Sequence, residues 1–317
     1  MRALVTGAGG FIGSHLTSAL ISAEWDVVGM TRSSGSALPG NRSIVGDVTD
    51  GALLGKVLAA DRFDVVFHLA GRDAFTDPVE LFRTNVLGTA VLLEAIRGLD
   101  QPKLKVVLLG SSAQYGLAGK DPVDEKTAFQ PVSNYGVSKM TCEAMGRLCY
   151  EQTGQHVTVA RPFNVIGPGQ SRRLLQGSVV EQIVEIERGK RPAVVEVGDL
   201  SAYRDFVDVR DAAAALMAIA EHGEAGEAYN VCSGRAVQAR EAVALLMASA
   251  RIPIELLTRE HHGAVNLAYQ RGCNSKLAER ANWVPTIPLG QSLDDALDER
   301  RSRDGIEAGL TVEERLR

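Results

Sequence analysis

The chain has 317 residues, 45% of them hydrophobic and 23% charged, with a formal net charge of −5. Its length exceeds the usual single unit of roughly 100 to 200 residues and suits two fused lobes. The composition excludes a disordered chain, and the mild acidity excludes the strongly basic footprint of a nucleic-acid surface.

Short β-branched runs recur at Ala3 to Thr6, Asp26 to Met30, Ser43 to Val45, Asp64 to Leu69, Lys105 to Leu109 and Val157 to Ala160, separated by longer helical patterns. Such alternation predicts parallel strands joined by helices. Val65 to Leu69 and Val106 to Leu109 are nearly all apolar, as expected when helices cover both faces of a parallel sheet. The expected fold class is therefore α/β, a doubly wound parallel (Rossmann) sheet, with a dinucleotide-binding domain over residues 1–165. After Arg161-Pro162 the pattern becomes irregular: Gly167 to Gln170 reads as loop, Val179 to Arg188 as helix and Val194 to Val197 as strand. Asp211 to Glu221 reads as a helix capped by its own Asp, and Ala228 to Cys232 as a strand that revisits the first lobe. The lobes are thus expected to be interleaved. Residues 205–232 return to the first domain, while 166–204 and 233–298 form a smaller α/β substrate-binding lobe. From Glu299 to Arg317 the dense charge reads as a solvated helix or frayed end.

The cysteines Cys142, Cys149, Cys232 and Cys273 include no CxxC pair, which argues against zinc and against a disulfide framework, so no metal is expected. Met1 to Thr6 runs straight into a strand with no charged leader pattern, and no stretch of about 18 apolar residues occurs, so the cytoplasm is the expected compartment and no membrane partner is expected.

Directly after the first strand comes Thr6-Gly7-Ala8-Gly9-Gly10-Phe11-Ile12-Gly13, followed by an apolar helix through Leu16, Leu20 and Ile21. In a dinucleotide site Gly7 allows the tight turn, Gly10 lets backbone N–H groups approach a pyrophosphate beside Phe11 and Ile12, and Gly13 permits close helix–strand packing. Ile12 occupies the last position of the commoner Gly-x-Gly-x-x-Gly, so the context carries the reading more than the letters do. The second strand ends without the acid that would hold an adenosine ribose. Instead Thr31-Arg32-Ser33-Ser34 offers a guanidinium and hydroxyls, a good 2′-phosphate site, so NADP(H) is favoured over NAD(H). Arg32 as a plain solvated loop residue is the alternative. Asp47 and Val48 can meet the adenine, although an Asp in a turn equally bonds its own backbone.

Beyond the fifth strand lie Gly110-Ser111-Ser112-Ala113-Gln114-Tyr115-Gly116 and, past a loop, Asn134-Tyr135-Gly136-Val137-Ser138-Lys139. Tyr135 and Lys139 stand one helical turn apart on one face. An adjacent ammonium stabilises a phenolate, which lets a phenol exchange protons near neutrality. Ser111, at the carboxyl end of a strand, can hydrogen-bond the substrate oxygen that Tyr135 protonates. Alone, such a Tyr-x-x-x-Lys pair is more simply an amphipathic surface pair. In the company of the glycine turn it resembles the extended short-chain dehydrogenase/reductase family, from about residue 1 to 298. Further matching segments are Phe67 to Gly71, Asn85 to Thr89, Arg161 to Gly169 and Tyr203 to Val209.

The resemblance implies a catalytic triad of Ser111, Tyr135 and Lys139. It implies that Leu69, Ala70, Gly71 and Asn85 border the cofactor, that Pro162 and Phe163 border its nicotinamide, and that Ser112, Ala113, Asn164, Val179, Arg204 and Arg271 contact a nucleotide sugar. Arg204 matches a diphosphate-binding arginine, its alternative being an ion pair with Asp205 or Asp208. It further implies a homodimer formed by packing the helix of Tyr135 and Lys139, with its neighbour near Leu81 to Ile96, into a four-helix bundle. Those apolar residues can equally be satisfied within the monomer.

Family members that eliminate water carry an acid–base carboxylate two positions beyond the triad Ser/Thr. Here that position is Ala113, so dehydration is disfavoured. Gly110 to Gly116, Arg161 to Gln170, Tyr229 to Gly234 and Asn274 to Leu277 resemble the GDP-6-deoxy-D-mannose reductase branch. The expected reaction is NADPH reduction of the C4 keto group of a nucleotide-linked 4-keto-6-deoxyhexose, a GDP sugar favoured. The rivals are a 4-epimerase with tightly bound NAD and a non-catalytic NADP-binding regulator. One departure is His262-Gly263-Ala264, where relatives carry an Arg-Pro pair. Arg172, Arg173 and Arg271 are the candidates to compensate.

Overall fold

The structure is a computed structural model that describes residues 1–33, 42–99, 101–117, 119–259 and 268–309, with side chains to residue 303. Its strands are β1 (Arg2–Thr6), β2 (Asp26–Thr31), β3 (Arg42–Val45), β4 (Val65–His68), β5 (Lys105–Leu109), β6 (His156–Pro162), β7 (Asn164–Ile166), β8 (Val194–Val197), β9 (Tyr203–Asp208), β10 (Ala228–Val231), β11 (Ala236–Gln238) and β12 (Glu255–Thr258). Seven of them form one sheet in the order β10-β6-β5-β4-β1-β2-β3. Every pairing in it is parallel, with Val5 opposite Phe67 and Val106 opposite Val157.

Alternate residues of these strands point to opposite faces, and both faces are covered, which is why the strands read as unbroken apolar runs. Ala3, Val5, Phe67 and Val107 join one core layer, under α1 (Phe11–Ser22) and a later helix carrying Ala212 to Ala220. Leu4, Val28, Val66, Val106 and Leu108 join the other. That layer is closed by α2 (Gly51–Ala60), α4 (Gly88–Arg97) and α5 (Asn134–Thr153). The short α3 (Pro78–Phe82) runs into α4 through a π turn at Arg83–Leu87, capped at its start by Asp77. Such a turn shifts a helix face by one residue and is frequent at functional sites.

The smaller lobe holds the three-stranded sheet β11-β9-β7 and the pair β12-β8. These pack with α6 (Leu175–Glu187), α8 (Ala239–Ala248) and α10 (Leu289–Gly309) around Ile183, Val195, Leu246 and Leu297. Because β9 pairs here, the chain's return to the large sheet is made by α7 (Val209–His222), which packs on α1, and by β10. The helix α9 (Ser275–Ala281) lies against α7 and β10.

Two sequence expectations change. Asp208, not Asp211, caps α7, accepting the Arg210 N–H at 2.7 Å. Asp211 is buried in the first turn and accepts hydrogen bonds from Thr286 and Ile287. The chain beyond Glu299 is not merely solvated: Arg300 and Arg301 of α10 pair with Glu181 and Glu187 of α6, Arg301 being 14% exposed. No helix among the described residues is long and apolar enough to cross a membrane. Cys142, Cys149 and Cys232 are buried, Cys273 is half-buried, and all four are free thiols.

Candidate active site

At the end of β1 the chain turns through Gly7, whose φ of +71° lies in the left-handed region. A Cβ there would stand 2.7 Å from the Ala70 nitrogen, and one at Gly13 would stand 2.1 Å from the Gly7 carbonyl oxygen. Only glycine lets α1 and the loop after β4 close this tightly on the turn. The N-cap of α1 is Gly10, which has no side chain to satisfy the first N–H groups, and the first turn holds no acid. Those donors, with the helix dipole, suit an anion, so the residues present fit a dinucleotide pyrophosphate.

Beyond the turn a cavity of about 230 Å³ is lined by Thr31, Arg32, Ser33, Val48, Ala70 and Gly71 among others. Arg32 is exposed there, and among the described residues no carboxylate lines this end. Asp47 does not line it. The Asp47 carboxylate accepts from the Thr49 N–H and hydroxyl, and these bonds, against the cost of burial, hold its pKa below the usual range, with Arg83 and Arg32 adding to the effect. Ser34 lies outside the described residues.

On the other side of the turn the cavity opens into a cleft of about 620 Å³ between the lobes. Gly7, Gly10, Phe11, Ile12, Gly13, Leu69 and Gly71 form one end, and Ser111, Tyr135 and Lys139 share the middle with Pro162 and Phe163. Ser112, Ala113, Asn164 and Arg204 line the rest. α5 begins at the N-cap Ser133, whose hydroxyl oxygen accepts from the Gly136 N–H, and this start places Tyr135 in the first turn at the cleft. Lys139, one turn on, is 5% exposed; its ammonium donates to the Leu109 carbonyl at 2.7 Å and lies 5.9 Å from the Tyr135 ring centre. Ser111 opens a short 3₁₀ turn, its hydroxyl oxygen accepting from the Ala113 N–H at 3.2 Å. Behind Lys139, His68 is fully buried. Burial first, and then the Lys139 charge, push its pKa down to about 3, so it is neutral.

Asn85 does not line the cleft. From the π turn its side chain accepts from the Arg72 N–H at 2.7 Å and donates to the Ser138 hydroxyl at 3.0 Å, which fixes the loop after β4 against α5. Asn164 donates to the Asp205 carbonyl. The Asp205 carboxylate is taken up by Ser233, Gly234 and Gly272, and Asp208 by Arg210, while burial lowers the pKa of Arg204. Arg204 lines the cleft, its guanidinium donating to the Tyr203 carbonyl at 2.8 Å.

Two expected substrate contacts lie elsewhere. Val179 is wholly buried in the small-lobe core, on the inward face of α6. Arg271 does not line the cleft; its neighbour Gln270 does, 4% exposed and bonded through its amide to the Ser112 hydroxyl and carbonyl. Arg173 faces Asp73 at 4.0 Å, and Arg172 lines a separate small cavity. His262, Gly263 and Ala264 lie outside the described residues. Sequence reasoning missed Arg72, Asp73 and Gln270 as lining residues, since they fall on irregular segments or one residue from an expected position, and missed Gln176 because α6 starts at Leu175, ahead of the expected helix start at Val179.

The model of the NAD dependent epimerase/dehydratase family matches residues 3–232. GDP-6-deoxy-D-mannose reductase from Pseudomonas aeruginosa is 34% identical over 95% of this chain and 98% of its own. A solved structure of RMD from Pseudomonas aeruginosa complexed with NADPH matches with a TM-score of 0.84 and 33% identity, over 95% of this chain and 99% of that one. UDP-glucose 4-epimerase from Halalkalibacterium halodurans is 26% identical over 91% of this chain and 92% of its own. The likeness spans both lobes, the glycine turn and the cleft alike. The chain belongs to the NAD dependent epimerase/dehydratase family, the extended branch of the short-chain dehydrogenases/reductases, and is an NAD(P)-dependent oxidoreductase.

Proposed function

We propose that the protein uses NADPH to reduce the C4 keto group of a nucleotide-linked 4-keto-6-deoxyhexose, with a GDP sugar as the favoured substrate. The observation that carries this reading is the identity of the cleft wall beside Ser111 and Tyr135. Ala113 stands there, and the one carboxylate lining the cleft among the described residues, Asp73, is engaged by the Phe75 N–H, the Thr76 hydroxyl and Arg173. Elimination of water needs its own acid and base; a keto reduction needs one proton donor.

When bound, the nicotinamide supplies the hydride. The Tyr135 hydroxyl gives its proton to the C4 oxygen as negative charge develops there. Ser111 donates a hydrogen bond to the same oxygen, and the Lys139 ammonium stabilises the resulting phenolate. Arg32, Thr31 and Ser33, at an adenosine end lined by no carboxylate among the described residues, favour the 2′-phosphate of NADPH over the bare ribose of NADH. The reductase relative and the NADPH-bound neighbour support the same assignment.

The test is to supply purified protein with NADPH and a GDP-4-keto-6-deoxyhexose. One NADPH should be oxidised per reduced sugar, and Tyr135→Phe should lower kcat by about 10²- to 10⁴-fold while still binding NADPH. Retained turnover in that variant would sink the roles assigned. Conversion of UDP- or GDP-hexoses to their C4 epimers without added cofactor would establish the 4-epimerase instead. NADPH binding with no substrate-dependent oxidation would leave only a regulator.

We further propose that the protein pairs with a second copy through α3 to α5. Val79, Leu87 and Leu148 are exposed large apolar side chains of this region, which supports such an interface. A monomeric mass in solution would exclude it.

A further inference from the structure

Tyr135, Lys139 and Glu143 follow one another at four-residue spacing and share one face of α5. The first two line the cleft, whereas Glu143 lies one turn further along, its side chain 12% exposed against the 6% exposed side chain of Arg161 from β6. Arg161 grips both carboxylate oxygens, its Nε at 2.9 Å from Oε2. The same Oε2 accepts from the Gln114 amide nitrogen at 2.7 Å, and the Gln114 amide oxygen accepts from the Ser111 N–H at 2.8 Å. Gln114 is completely buried.

We propose that Gln114 is a positioning residue for Ser111, oriented by the ion pair of half-buried Glu143 with buried Arg161. An amide can turn either end toward a neighbour, but a carboxylate only accepts hydrogen bonds. Glu143 therefore compels the NH₂ end of Gln114 to face it and so turns the oxygen toward the Ser111 N–H. Each bond in the series from Arg161 to Ser111 polarises the next. The Ser111 hydroxyl oxygen already accepts from the Ala113 N–H, and with the backbone held its remaining hydrogen is left for the cleft. The surroundings are shaped to this arrangement. A Cβ at Gly110 would stand 2.8 Å from the Gln114 amide oxygen, and one at Gly136, beside Tyr135, 2.5 Å from the Ala113 carbonyl. The turn that carries Ser111 thus has little room to shift relative to Tyr135. The function of this device rests on the reading that Ser111 acts on the substrate oxygen, but its geometry does not.

The experiment uses the full chain with NADPH and the 4-keto sugar, comparing Gln114→Leu, Ser111→Ala and the double variant. Gln114→Leu should lower kcat by about 10- to 100-fold, as a misplacement of under an ångström does, with NADPH affinity unchanged within about two-fold. The double variant should be no slower than Ser111→Ala, because Gln114 acts only through Ser111. A double variant slowed by the full product of the two factors, or an unchanged kcat in Gln114→Leu, overturns the proposal. Hydrogen exchange on the unmodified protein gives an arm that needs neither turnover nor a stable variant. The Ser111 amide should exchange on the order of 10²-fold or more slower than an unstructured amide. Exchange as fast as an open amide overturns the strut even where the sugar is reduced as expected. Slow exchange in a protein that does not reduce the sugar would leave the strut standing and remove the proposed reaction.

Discussion

The Lys139 ammonium lies 2.7 Å from the carbonyl oxygen of Leu109, the last residue of β5. One of its three donors is thereby spent on tying α5 to the strand end that leads into Ser111, and two remain for the cleft. Lys139→Met should lower kcat by at least about 10²-fold and also weaken NADPH binding. Lys139→Arg should not restore activity, since a planar guanidinium cannot serve the carbonyl and the cleft from the same buried position. Steady-state kinetics with an NADPH fluorescence titration checks both. Activity in the methionine variant within a few-fold of the parent would show that the ammonium is dispensable.

Arg32 is exposed at the adenosine end, where no carboxylate lines the cavity among the described residues, and its charge also reaches Asp47 outside that lining. Arg32→Ala should raise the KM for NADPH by about 10- to 100-fold, the worth of a charge-assisted hydrogen-bond pair. The KM for NADH should barely move. Equal changes for the two cofactors would show that Arg32 does not read the 2′-phosphate.

His68 gives the fold a dependence on acid. In the unfolded chain the imidazole takes up a proton near pH 6.5, whereas in the folded protein burial and Lys139 delay this to about pH 3. Between those values the unfolded state binds more protons, so stability is complete above pH 6.5 and falls as the pH is lowered. By pH 4 the loss from this residue alone should be roughly 3 kcal/mol. In His68→Leu the melting temperature should therefore decline less steeply from pH 7 to pH 4.5 than in the parent. Parallel curves would mean that burial does not lower the His68 pKa in the fold.

Arg301 joins α10 to Glu187 of α6 with little solvent around either side chain. Removing Arg301 takes away the cation that neutralises this poorly solvated carboxylate and leaves it the Arg251 N–H at 2.9 Å. Arg301→Ala should cost about 3 kcal/mol, visible as a lower denaturation midpoint. An unchanged midpoint would return this part of α10 to the status of a solvated tail.

The large sheet is legible in the sequence because each of its strands must be apolar on both faces, which leaves runs such as Val65 to His68 that no amphipathic helix would carry. The glycine turn and Tyr135–Lys139 are legible because backbone closure and helix periodicity dictate their spacing. What escapes are positions set by tertiary contact. Val179 counts as a cleft residue by the resemblance, yet the period of α6 turns it inward. Gln270 and Arg271 differ by a single step on an irregular segment, and backbone hydrogen bonds to Tyr203 and Val123 decide which one faces Ser112. Gln114 has nothing to offer as an acid or base, and its value depends on Glu143 and Arg161, 29 and 47 positions away in sequence. Asp208 and Asp211 are equally plausible caps until the end of β9 is known.

The place of β10 beside β6 has a consequence for how the chain matures. Ala228 to Val231 pair with Val159 to Pro162, so the large sheet acquires its outermost strand only after the first half of the small lobe has been made. During synthesis β6 waits with a bare hydrogen-bonding edge, the kind of edge that invites pairing with other chains. A fragment ending at residue 165 would keep the glycine turn, Ser111, Tyr135 and Lys139, yet it would carry that open edge permanently and should aggregate rather than bind nucleotide.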